Sequence, residues 1–168
     1  YKLSDKLAVS GLMEYRTTLL DNFNAPGYLA VVVGITWTPI LDLFVVIHPL
    51  NYNFVFANDT AIFESSLGAK IVADYTRQIG AINFKTNLSA FQSYESSDLS
   101  NWTWTNSFSY TLWEMIGVGF DFGLRSNRQE AVDFALGQFV EGSGDQPDFD
   151  NVDNDLQTYY TLGLSYKF

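Results

Sequence analysis

Hydrophobicity alternates with a period of two along most of this chain, and that pattern restricts it to extended strands whose successive side chains point to opposite faces. In the last segment, Thr158–Phe168, one face carries Tyr160, Leu162, Leu164, Tyr166 and Phe168, while the other carries Tyr159, Thr161, Gly163, Ser165 and Lys167. Ile116–Ser126 repeats the arrangement, with Ile116, Val118, Phe120, Phe122 and Leu124 opposing Gly117, Gly119, Asp121, Gly123 and Arg125. Trp102–Leu112 follows it too, with Asn106 as a polar exception on the apolar face. Four further segments show the same alternation around Leu7–Tyr15, Leu29–Trp37, Leu67–Tyr75 and Ile82–Ala90. Within Leu41–Ala57 the apolar positions are odd at Leu43, Val45 and Ile47 but even at Leu50, Tyr52, Phe54 and Phe56. A phase change near His48-Pro49 is therefore expected, as a bulge or bend, because proline cannot donate to a ladder.

The second face identifies the environment of the first. It is rich in Gly, Ser, Thr and Asn with a few charges of both signs, which suits a crowded barrel interior, while bulky aliphatic and aromatic residues suit a lipid-facing exterior. The strands run well beyond the usual five or six residues of soluble sheets, and a tilted membrane strand needs roughly 9–11. Aromatics make up 17% of the chain and charged residues only 17%. No stretch approaches the roughly 18 apolar residues of a membrane helix. The net charge of −10 argues against a nucleic-acid partner, because phosphate binding needs a basic surface. The absence of cysteine excludes disulfides and thiolate metal sites. The expected fold is an all-β, antiparallel transmembrane β-barrel forming a single domain over residues 1–168, with about eight strands in this chain.

Connection lengths alternate. Thr38–Ile40, Gly80–Ala81 and Trp113–Met115 are short, whereas Asp21–Pro26, Asn58–Ser65, Glu95–Ser100 and Asn127–Gln157 are longer and polar. Outer-membrane barrels have short periplasmic turns and long extracellular loops, so both chain ends are expected on the periplasmic side. Aromatic belts then fall at Trp37 and Tyr75 near one interface and at Trp102 and Trp104 near the other, with Tyr166, Phe168 and Tyr160 in keeping. Arg77 breaks the apolar face only at a strand end, where it can snorkel. The opening Tyr1-Lys2-Leu3-Ser4-Asp5-Lys6 reads as a strand end running into a turn; with no start methionine or signal peptide, the chain is expected to be mature or truncated.

The terminal Leu162-Gly163-Leu164-Ser165-Tyr166-Lys167-Phe168 resembles the C-terminal signature of outer-membrane barrels. The resemblance implies that Tyr160, Leu162, Leu164, Tyr166 and Phe168 are read by the barrel-assembly machinery. More broadly, Ala25-Pro26-Gly27-Tyr28-Leu29, Ser66-Leu67-Gly68-Ala69 and Ile82-Asn83-Phe84-Lys85-Thr86 resemble an uncharacterised outer-membrane family of Bacteroidetes, catalogued only as a domain of unknown function. Members of that family are longer, with about four further strands before the segment seen here. The resemblance thus implies the C-terminal part of a barrel of about twelve strands. It implies no activity, and the long acidic loop over 127–157 departs from it.

The interior-facing charges Glu14, Arg16, Lys70, Asp74, Lys85, Asp121 and Arg125 are the candidate functional set. They either line an aqueous pore and tune its selectivity or fill the interior as mutually paired charges. The loop over 127–157, expected to be extracellular, holds eight acidic residues, and Asp148, Asp150, Asp153 and Asp155 are a weak calcium candidate lacking the EF-hand glycine and terminal glutamate. A solvated loop is the plainer expectation there, and Glu130–Val140 is expected to be a short helix or to pack over the barrel mouth. His48 is the only histidine and has no nucleophile motif around it, so neither catalysis nor a cofactor is expected. The chain reads as a porin-like conduit or structural barrel partnered by outer-membrane lipids. The alternative is an accessory subunit of a larger secretion, uptake or assembly complex of outer-membrane proteins. A soluble lipocalin-like carrier would need an apolar interior, which the polar face contradicts.

Overall fold

The computed structural model describes residues 1–17, 27–56, 64–113, 115–142, 144–153 and 156–166, without the side chains of Arg16, Thr17 and Tyr28. A three-residue strand β1 (Lys2–Ser4) turns at Asp5-Lys6 into β2 (Leu7–Thr17). There follow β3 (Gly27–Ile40), β4 (Leu43–Phe56), β5 (Ser66–Ile79), β6 (Ile82–Ser93), β7 (Asn101–Trp113), β8 (Ile116–Asn127) and β9 (Gln157–Tyr166). Each pairs antiparallel with its neighbour in sequence order, giving one nine-stranded sheet. A helix α1 (Arg128–Gln138) follows β8, and a single 3₁₀ turn, Ser97–Leu99, precedes β7. Among the described residues no helix is long and apolar enough to cross a membrane.

Register aligns the alternation of each strand with its neighbours, so a one-residue slip would invert a whole face. Val9, Ile35, Ile47, Ile71, Ala90 and Trp102 form one cross-strand row through six strands. The phase change in β4 is a bulge. Val33 pairs with Leu50 and Ile35 with Ile47, so His48 and Pro49 together oppose Gly34. On the other side His48 pairs with Lys70 and Asn51 with Gly68. The extra residue moves the apolar positions from odd to even while keeping them on one face.

Two turns deserve comparison with expectation. Gly80 takes the left-handed conformation (φ 62°) in the turn between β5 and β6, as a short hairpin requires. The turn expected at Thr38–Ile40 lies instead at Leu41-Asp42. Thr38 N–H still donates to the Lys6 carbonyl at 2.9 Å, and Pro39 falls where the ladder to β4 skips from Trp37 to Ile40, so its missing N–H interrupts no pair.

Among the described residues no layer packs on the apolar face. Val33, Leu50, Leu162 and Leu164 are 59%, 61%, 74% and 81% exposed. The opposite face curls around a polar interior. Glu14 lies in the row of Ala30, Asn53 and Ser66, so in a flat sheet it would stand three strand spacings and four residues from Lys70, roughly 19 Å, yet Lys70 Nζ stands 3.6 Å from Glu14 Oε2. Aromatic rings tile this concave side over glycines. A Cβ on Gly34 would overlap the His48 ring, one on Gly68 the Phe91 ring, and one on Gly123 the Tyr159 ring. The sheet is not closed: among the described residues β1 pairs only with β2, and β9 only with β8.

Candidate functional site

The concave face gathers the charges that the alternation pointed inward, and it pairs several of them. Lys70 meets Glu14. Arg125 meets Glu130, from the first turn of α1, at 2.7 Å, and its Nε donates to Gln157 Oε1 at 2.6 Å. Asp74 accepts from Asn87 Nδ2 at 2.6 Å. Lys85 and Asp121 are different. They lie in one row, Lys85–Ser107–Asp121, separated by one strand, and both are exposed. Neither has an ion pair among the described residues within 4.0 Å. The Arg16 side chain lies outside the described part of the structure.

Deeper in the same face are polar atoms without partners among the described residues. Ser10 Oγ, both ring nitrogens of His48 and Asn51 Oδ1 are buried and make no hydrogen bond. His48 and Asn51 are 3% and 0% exposed. Buried polar groups are ordinarily satisfied, so this patch is a polar interior rather than a hydrophobic core.

α1 lies across one end of this interior. Asn127 caps it, its Oδ1 accepting from Glu130 N–H at 3.4 Å, and so leaves one fewer orphan donor at the helix start. Val132, 1% exposed, packs against Val55 at the end of β4 and against Leu136, Phe149 and Val152. Arg128 ties the helix down on its other side, donating to Asp98 Oδ1 at 2.9 Å and to the Phe149 carbonyl. Asp98 is itself positioned by the 3₁₀ turn, whose cap Ser96 Oγ accepts from Asp98 N–H at 3.1 Å. The expected Glu130–Val140 helix thus spans Arg128–Gln138 and lies across one end of the polar interior.

Beneath α1 is a cavity of about 310 Å³, walled by β2–β8, the 3₁₀ turn and α1. It collects Glu14, Lys70 and Arg125 from the expected set, but not Lys85, Asp121 or Asp74. It adds Asn53, Asn87, Asn101, Asn127 and Gln129, which sequence reading passed over. Asn127 followed by Glu130 is a legible helix-start signal, whereas an inward asparagine on a strand signals nothing by itself.

The remaining candidates are distributed elsewhere. Trp37 and Tyr75 sit on the apolar face near the short turns, and Trp102 and Trp104 near the opposite strand ends. Trp104 satisfies its indole N–H with Thr86 Oγ1 at 2.9 Å. Tyr160, Leu162, Leu164 and Tyr166 lie exposed on the edge strand β9, and Phe168 is outside the described residues. Asp148 uses its carboxylate within the loop, accepting the N–H groups of Asp150 and Asn151 at 2.9 and 3.0 Å. Among the described residues no three acidic or histidine groups converge on a metal position; Asp150 and Asp153 are exposed, and Asp155 lies outside the description. Comparison with family models, curated proteins and solved structures finds no match to the chain.

Proposed function

We propose that this chain forms the wall of a porin-like barrel in a bacterial outer membrane, a conduit for small polar solutes narrowed at one mouth by α1. The observation that carries the proposal is the division of one sheet into two faces. The outer face exposes a continuous apolar surface to which nothing among the described residues is packed. The inner face surrounds a polar cavity containing charges of both signs. Lipid is the natural solvent for the first, and water for the second. Lys85 and Asp121 are the proposed selectivity groups, because they project inward without an ion pair among the described residues.

Planar-bilayer recording of detergent-extracted protein tests this. Discrete conductance steps are expected. Lys85→Gln should shift selectivity toward cations and Asp121→Asn toward anions. A silent bilayer from protein shown to be folded by heat-modifiable migration on gels would reject the conduit.

One observation favours a second role, as a subunit or segment of a larger outer-membrane assembly. Unpaired strand edges are not tolerated in hydrocarbon. β1 and β9 run in the same direction, as the first and ninth of an antiparallel series. An all-antiparallel closure between them therefore takes an odd number of further strands, from this polypeptide or another. Stoichiometric co-purification of a strand-rich partner would support this role.

A further inference from the structure

The cavity beneath α1 discriminates by its chemistry. Two of its three acidic side chains already face a cation, Glu14 on Lys70 and Glu130 on Arg125. Only Glu64 among them has no ion pair with a described residue. An anionic ligand entering here would have to break a matched pair or lie beside Glu64 without a cation of its own, which is costly.

The rest of the wall is built from amides and hydroxyls, and several have capacity left. The Asn101 side chain makes no hydrogen bond to the described residues. Asn53 accepts from Asn51 Nδ2 at 2.9 Å on its Oδ1, which leaves its own two Nδ2 hydrogens for the cavity. Asn87 donates to Asp74 and keeps its Oδ1. Carboxamides donate and accept from adjacent atoms, the complement of a pair of neighbouring hydroxyls. Phe91 and Leu99 add a small apolar strip to the same cavity, suited to the C–H face of a sugar ring. A volume of about 310 Å³ lies at the lower end of small-ligand pockets.

We infer that this cavity binds a small neutral saccharide. The inference rests on the reading of the inner face as a solvated interior, but not on conduction. Isothermal titration calorimetry on the full chain, folded in detergent, tests it with glucose and maltose, using glucose 6-phosphate as an anionic comparator. The neutral sugars should bind, and the phosphorylated one at least about tenfold more weakly, since an unmatched negative charge is costly in such a site. Asn101→Ala removes one ligand hydrogen bond and no internal one, so affinity should fall about three- to tenfold. Ser89→Ala, which also alters only the cavity wall, provides a second variant should Asn101→Ala fail to fold. No heat with either neutral sugar on heat-modifiable protein, equal or tighter binding of glucose 6-phosphate, or unchanged affinity in the folded variant overturns the site. A protein that conducts but binds no sugar rejects this site and leaves the conduit standing. One that binds sugar in a silent bilayer does the reverse.

Discussion

Val132→Asp should release α1 from the barrel mouth while leaving the sheet intact. The helix has 11 residues, below the roughly 12–15 at which an isolated helix becomes even marginal in water. Its order therefore depends on docking. Val132 is 1% exposed and is the only buried residue of its cluster, with Val55, Leu136, Phe149 and Val152 packed around it. Burial of a valine side chain contributes about 1.5–3 kcal/mol. The two ion pairs that also tether the helix, Arg128–Asp98 and Arg125–Glu130, have side chains 30–43% exposed. Each is worth about 1 kcal/mol or less. Aspartate at 132 loses the apolar contact and places a carboxylate among apolar side chains without a cation beside it, a further cost of several kcal/mol if docking is kept. The two ion pairs cannot offset that, so undocking wins. The assay is hydrogen–deuterium exchange with mass spectrometry on the full chain in detergent, comparing peptides from α1 and β7. Exchange in α1 should quicken about a hundredfold or more, equivalent to roughly 3 kcal/mol, with β7 unchanged. The milder Val132→Ala, lacking two carbons at about 0.8 kcal/mol each, should give about a tenfold effect. Unchanged α1 protection in Val132→Asp would refute the assignment of the docking energy to this cluster.

Two further outcomes follow from the sheet. Gly68→Val should destabilise folding by about 3 kcal/mol or more, because a Cβ there would collide with the Gln92 carbonyl as well as the Phe91 ring, whereas Gly163→Val, with nothing within 4 Å of the added atom, should be close to neutral; heat-modifiability midpoints distinguish the two. Alternate amides of β9 should exchange rapidly in the chain alone in detergent, since only β8 pairs with that strand, and should become protected in the native membrane; full protection in the isolated chain would mean that the sheet closes on itself.

Most of the fold was legible because a half-buried strand has to reveal its period. The faces of β3 and of β5 to β9 follow directly from the alternation, and even the bulge in β4 was announced by the shift of apolar positions across His48-Pro49. The turn after β3 was misplaced by two residues because Thr38-Pro39 carries turn chemistry in sequence. In the structure, proline is accommodated where a ladder irregularity removes the need for its N–H. The pairing of rings with glycines could not be seen at all. Gly123 and Tyr159 are joined by register, and register is a property of two strands rather than of either one.

The site divides in the same way. That Glu14, Lys70, Lys85, Asp121 and Arg125 point inward follows from parity alone. What each of them does depends on neighbours brought close by curvature. Lys70 and Glu14 are separated by two strands in the ladder and meet only because the sheet curls. Arg125 is matched by Glu130, which reaches it only because Asn127 turns the chain from strand into helix at that position. Lys85 and Asp121 have no such help: Ser107 sits between them in the row, and neither lines the cavity beneath α1. Charges on one face thus divide into structural pairs around the cavity and groups beyond it that have no ion pair among the described residues. The division is set by the curl of the sheet for Glu14 and Lys70 and by the docking of α1 for Arg125, the latter through a long-range contact between Val132 and Val55 that no local pattern encodes.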